Sequence, residues 1–206
     1  AMPGSRIGKS LLIAGLALGA SAAMAADDKP KTLSGASDSM LANTCAGCHG
    51  TDGASVGPAS PTISGLSEVY FVETMQGFAS GEIPATIMGR IAKGYTEGEI
   101  EQMAKFYAGK PFVAAMQEAD AAKVDKGAKL HDKYCEKCHA EGGTSAEDDS
   151  GVLKGQWRPY LEYTMADYMA GDREPTKKMA KKLKELTEDH GDDGWDALFN
   201  FYASGK

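Results

Sequence analysis

Two hexamers, CAGCHG at 45–50 and CEKCHA at 135–140, hold all four cysteines of the chain and two of its four histidines. A repeated Cys-x-x-Cys-His with no cysteine to spare leaves few chemistries. A disulfide within either pair would close a very small loop and constrain little of the unfolded chain, so it would be a weak staple. A thioredoxin-type motif belongs to a strand-helix-strand pattern, which is missing around both hexamers. A zinc site draws its ligands from within a few tens of residues, whereas 86 residues lie between Cys48 and Cys135. Covalent haem attachment uses every residue. The thiols of Cys45 and Cys48, and those of Cys135 and Cys138, would add to porphyrin vinyl groups, and His49 and His139 would be carried under the iron as proximal ligands. The expectation is two covalently bound haems c.

The 206 residues and 42% hydrophobic content suit one large or two small domains. At the start, Arg6 and Lys9 precede LLIAGLALGA, an apolar run too short to span a bilayer comfortably, and ASAAMA follows with small residues suited to cleavage after Ala25. Residues 1–25 read as a cleaved export signal, with an uncleaved amphiphilic anchor as the alternative, and no membrane span is expected in the mature chain. Losing Arg6 and Lys9 moves the formal charge from −7 to −9. That balance, with no basic stripe carrying interleaved aromatics, argues against nucleic acid as a partner.

The likeness between the hexamers extends along the chain at a constant offset of 90. Gly65 matches Gly155, Tyr70 matches Tyr160, Thr74 matches Thr164, Met75 matches Met165 and Gly81 matches Gly171. Each copy reads as a helix into the haem motif, a loop, a short helix, a second loop and a closing helix. Ser37 or Asp38 is a plausible cap for the first leading helix and Asp125 for the second. Tyr70, Thr74 and Phe78, and likewise Tyr160, Thr164 and Tyr168, recur at helical spacing, and no alternating run of β-branched residues suggests sheet. The fold expected is all-α, two tandem small domains that resemble class I cytochromes c, each wrapped around one covalently attached haem. The boundaries expected are 26–110 for the first domain, 111–124 for a linker and 125–206 for the second.

A proximal histidine leaves the other face of each iron open, and the residue that fills it separates a carrier from a catalyst. Met75 and Met165 match at offset 90 but sit in amphipathic helical stretches, where methionine usually belongs to the core. Met88 and Met179 follow their histidines by 39 and 40 residues, and each precedes a Thr-Glu pair, Thr96-Glu97 and Thr187-Glu188, that reads as the start of a closing helix. These two are favoured as axial ligands, since their soft thioether sulfur suits iron in both oxidation states. Pro58 is placed to turn a loop carbonyl toward the second nitrogen of His49, or is a plain loop proline. His131 and His190 read as surface or packing residues, and Trp157 as a wall of the second haem or as core.

The stretches NTCAGCHGTDGASVGPASPTI, GFASGEIPATIMGRIAKGY, GAKLHDKYCEKCHAEGG and GQWRPYLEYTMADY resemble the cytochrome subunits of flavocytochrome c sulfide dehydrogenases. The resemblance covers nearly all of the mature chain and departs mainly in the acidic TSAEDDSG loop and in TEDHGDDG. It implies a periplasmic heterodimer. A separate flavoprotein subunit carrying FAD would oxidise sulfide, and this chain would take electrons singly and pass them to a soluble cytochrome c-type acceptor, with no catalytic centre of its own. No Gly-x-Gly-x-x-Gly after a strand suggests a flavin site in this chain. A free-standing diheme carrier to a terminal oxidase, or a diheme enzyme with one displaceable ligand, would use the same motifs.

Overall fold

A computed structural model describes residues 35–147 and 149–205. The expected export signal at 1–25 lies outside the described residues. The described chain is helical, without strands. The first copy contributes α1 (Asp38–Asn43), α2 (Ala46–His49), α3 (Glu68–Ser80), α4 (Met88–Ala92) and α5 (Glu97–Ala108). The second contributes α6 (Ala121–Tyr134), α7 (Ala140–Gly143), α8 (Arg158–Ala170) and α9 (Lys177–Ala203). No helix among the described residues is long and apolar enough to cross a membrane.

The helix starts follow from local chemistry. The Ser37 and Ser67 hydroxyls accept the amide hydrogens of Met40 and Tyr70, which satisfies backbone donors that have no partner within the helix. At α5 the Thr96 hydroxyl accepts from the Glu99 amide while the Glu99 carboxylate accepts from the Thr96 amide, a reciprocal capping box. Helices α3 and α8 both stop at a left-handed glycine, Gly81 and Gly171.

Two starts differ from expectation. Helix α6 is capped by Asp120, which accepts from the Ala122 amide at 3.0 Å, and not by Asp125. Ala121, Ala122 and Lys123 are good helix formers upstream of Asp125, so the helix runs back to the first residue that caps it. Thr187-Glu188 does not begin a helix either. Lys, Ala, Leu and Glu propagate α9 from Thr176 without a breaker, and the Thr187 hydroxyl donates back to the Leu183 carbonyl at 2.9 Å. The helix is interrupted at Gly191 (φ 53°, ψ −149°).

Each copy buries its own apolar cluster. Leu41 of α1, Phe71 and Met75 of α3, and Ile100, Met103 and Tyr107 of α5 form one, so Met75 is core. Leu130 and Tyr134 of α6, Leu161 of α8, and Leu186, Leu198, Phe201 and Tyr202 of α9 form the other. Helices α6 and α9 meet at Gly127, where a Cβ would come within 2.2 Å of the Ala197 carbonyl oxygen. Only a residue without a side chain lets these backbones approach so closely.

The segment from 111 to 120 is stitched along the second copy and is not a loose tether. The Ala115 amide donates to Gly155, the Gln117 side chain bonds Gln156 and Arg158, and the Asp120 amide donates to Asn200. Residues 121–124, expected to belong to the linker, form the first turn of α6.

Candidate haem-attachment sites

Both Cys-x-x-Cys-His motifs close one tight backbone turn. The His49 amide donates to the Cys45 carbonyl at 2.9 Å, and the His139 amide donates to the Cys135 carbonyl at 3.0 Å. In the first copy this turn is helix α2, whereas in the second it is a hydrogen-bonded turn between α6 and α7. Cys45 and Cys135 are half-buried, Cys48 and Cys138 are exposed, and none of the four is in a disulfide.

The histidines are held alike. His49 is buried, and its Nδ1 donates to the carbonyl of Pro61 at 2.8 Å; His139 Nδ1 donates to the carbonyl of Gly151 at 3.0 Å. Each acceptor lies twelve residues beyond its histidine. A hydrogen on Nδ1 leaves the lone pair on Nε2, the tautomer an iron ligand needs. Burial pushes the His49 pKa below the ordinary histidine value and so favours the neutral, metal-binding form; the Pro61 hydrogen bond opposes this more weakly. Pro58 is exposed in the preceding turn, so the holding carbonyl belongs to the residue three positions later.

The acceptor loops share a frame at offset 90. The Ile63 and Ser64 amides both donate to the Gly53 carbonyl, as the Leu153 and Lys154 amides do to that of Gly143. Gly65 and Gly155 then donate to the Tyr107 and Tyr202 carbonyls of the closing helices.

The closing-helix tyrosines differ in what they hold. Tyr107 Oη donates to the Ala42 carbonyl at 2.6 Å, tying α5 to α1. Burial first, and then the Cys45 thiol, push its pKa far up, so it stays a neutral donor. Tyr202 Oη instead meets Nδ1 of His131 at 3.0 Å. His131 is a fully buried packing residue, and its Nε2 faces the Glu136 carboxylate at 2.8 Å and the His139 carbonyl at 3.0 Å. Two acceptors at Nε2 require that nitrogen to donate, and Nδ1 is left to pair with the Tyr202 hydroxyl. Glu136 also accepts the Glu141 and Gly142 amides at 3.0 Å each, binding the turn after His139 to the motif. The Gly142 amide is the largest influence holding the Glu136 carboxyl below its ordinary pKa, and His131 adds to it. Leu41 and Ala46 stand at these positions in the first copy, which has no such network.

Met88 opens α4 half-buried against the first apolar cluster, where Cys45 also packs. Met179 is half-buried in the first turn of α9, its amide donating to the capping Thr176 hydroxyl. Met165 is half-buried on α8. His190 packs edge-on against Tyr134. Trp157 is half-buried at the start of α8 and lies outside the buried core, and its Nε1 donates to the Ser55 carbonyl of the first copy at 3.2 Å.

Sequence reasoning missed the Pro61 and Gly151 acceptors because any residue supplies a carbonyl, so no side chain marks the role. Their only trace is the shared distance of twelve residues. The residues present fit covalently attached haem: two thiols separated by one turn, followed by an imidazole whose Nδ1 is committed to the backbone.

No protein-family model matches the chain. Over 68 residues it is 44% identical to the cytochrome subunit of sulfide dehydrogenase from Chlorobaculum tepidum, a match taking in 33% of this chain and 61% of that protein's length. Over 67 residues it is 31% identical to cytochrome c-554(548) of Halomonas halodenitrificans, taking in 31% of this chain and 81% of that protein. Reduced recombinant cytochrome c4 from Pseudomonas stutzeri superposes with a TM-score of 0.67 at 22% identity, over 82% of this chain and 98% of that one, which establishes a shared fold. The chain belongs to the c-type cytochromes and carries covalently bound haem c, and the pairs Cys45/Cys48 and Cys135/Cys138 fit two haem-binding sites.

Proposed function

We propose that this chain is the diheme electron-transfer subunit of a periplasmic flavocytochrome c sulfide dehydrogenase. The observation that carries the proposal is the 44% identity to the cytochrome subunit of the Chlorobaculum tepidum sulfide dehydrogenase. A partner flavoprotein holds FAD and oxidises sulfide. This chain accepts the electrons one at a time and delivers them to a soluble cytochrome c-type acceptor.

Bound haem supplies reversible one-electron exchange at iron. The chain's own residues tether, orient and shield it. Cys45, Cys48, Cys135 and Cys138 would anchor the two groups, and His49 and His139, whose Nδ1 is committed to the backbone, would hold the iron through Nε2. Met88 and Met179 would hold the iron through their thioether sulfur, a ligand that raises the potential. The two haem domains then meet at 111–120, the second beginning with α6 at Ala121, after export has removed 1–25.

The test is sulfide-dependent reduction of the native complex followed by its absorbance. Sulfide is expected to reduce the haems when the flavoprotein is present and to lose that rapid reduction when it is stripped away. Equally rapid reduction of the isolated chain would overturn the division of labour.

A further inference from the structure

Gln156 belongs to the second copy, yet its side chain bonds to the first. It is buried, and its Oε1 accepts from the Thr62 amide at 2.8 Å while its Nε2 donates to the Thr62 carbonyl at 2.9 Å. Oε1 also accepts from the Trp157 amide at 3.1 Å, and the backbone carbonyl of Gln156 is held by Gln117. Thr62 is itself fully buried. Its amide nitrogen and the Pro61 carbonyl are the two ends of one peptide group, and that carbonyl accepts from Nδ1 of His49.

We propose that Gln156 is a positioning residue for the first haem site, acting on His49 through the Pro61–Thr62 peptide. A peptide whose N–H is engaged by a good acceptor becomes more polar, so its carbonyl accepts more strongly, and consecutive hydrogen bonds of this kind reinforce one another. A stronger acceptor draws the Nδ1 hydrogen of His49, makes the ring a better electron donor through Nε2, and favours the oxidised iron. The second copy thereby sets the ligand strength of the first. The reverse influence is missing from the repeat, because the position matching Gln156 is Leu66, which has no amide to offer.

The inference rests on His49 being an iron ligand, and the test separates the two claims. Gln156→Met keeps roughly the side-chain volume and removes both bonds to Thr62. In redox titrations of the fully haem-loaded protein, the midpoint of the first haem is expected to move to higher potential while that of the second stays. By NMR the Nδ1 hydrogen of His49 is expected to shift and to exchange faster, with that of His139 unmoved. Unchanged His49 signals and midpoints, or an equal shift of both midpoints, overturn the inference. If the variant fails to load haem, hydrogen exchange on the wild-type holoprotein decides. Thr62 N–H and the His49 Nδ1 hydrogen should be protected together, and a Thr62 amide exchanging like an exposed loop amide overturns the inference. Wild-type His49 ring signals lacking any iron-induced shift would overturn the ligand assignment and the inference with it.

Discussion

Nδ1 of His49 donates to the carbonyl oxygen of Pro61 at 2.8 Å, so the first attachment motif is locked to a loop twelve residues further on. The lock fixes the tautomer and the plane of the ring before any metal is considered. The same arrangement recurs at His139 and Gly151. A chain that holds two imidazoles this way is organised to keep its ligands in place while the oxidation state changes.

The methionines are the first point of test. Met179→Ala is expected to leave both covalent attachments intact, remove the methionine-sulfur absorption of one haem and lower its potential, with the other haem unchanged. Met88→Ala should do the same to the first haem. Spectra and redox titrations of the two variants check this; an unaltered spectrum for either eliminates that methionine as a ligand.

Tyr107→Phe removes the hydroxyl that binds the Ala42 carbonyl between α5 and α1. The Ala42 carbonyl keeps the Cys45 amide at 3.0 Å, so what is lost is one hydrogen bond, about 0.5–1.5 kcal/mol. Denaturant unfolding of the holoprotein should show a loss in that range with little change in haem content.

Gly127→Ala should be more damaging than an alanine in a helix ordinarily is, since alanine is the better helix former. The added Cβ would meet the Ala197 carbonyl oxygen at 2.2 Å and Cβ of Phe201 at 2.6 Å. Overpacking costs typically about 1–3 kcal/mol, and here the obstacle is backbone, which yields little. A melting temperature at or above that of the wild type would contradict the close α6–α9 contact.

Asp196 predicts a pH dependence. Lys123 first, and Arg158 next, hold its carboxyl below the ordinary value of 3.8. A depressed carboxylate contributes stability that is fully present above its unfolded pKa and is lost as pH falls through the lower folded value. Asp196→Asn should therefore melt below the wild type at neutral pH, and the difference should shrink below about pH 4. Thermal melts at both pH values read this out; a gap that widens on acidification would reverse the assignment.

What was legible in the sequence was chemistry carried by residue type. Cys-x-x-Cys-His is read from the side chains alone, the Thr96-Glu97 pair marks the start of α5, and Met75 at helical spacing is core. What was not legible depended on competition or on backbone. Asp125 has the composition of a cap but loses to Asp120, because the residues between them propagate a helix. Thr187 resembles Thr96, yet it follows a run of strong helix formers and bonds backwards instead of capping. Buried His131 looked like one more histidine in a lysine-rich helix, since its partners Tyr202 and Glu136 are assembled from distant or differently oriented segments. Gln156 breaks the repeat, and only the contact across the two copies reveals why an amide stands where the first copy has leucine.

The most direct test of the central claim is gentle purification of the native protein, followed by determination of flavin and haem in the same sample. The account predicts that this chain arrives in equal amount with an FAD-bearing chain and carries both haems. A diheme chain that purifies alone, without flavin, would contradict it and leave a free-standing carrier in its place.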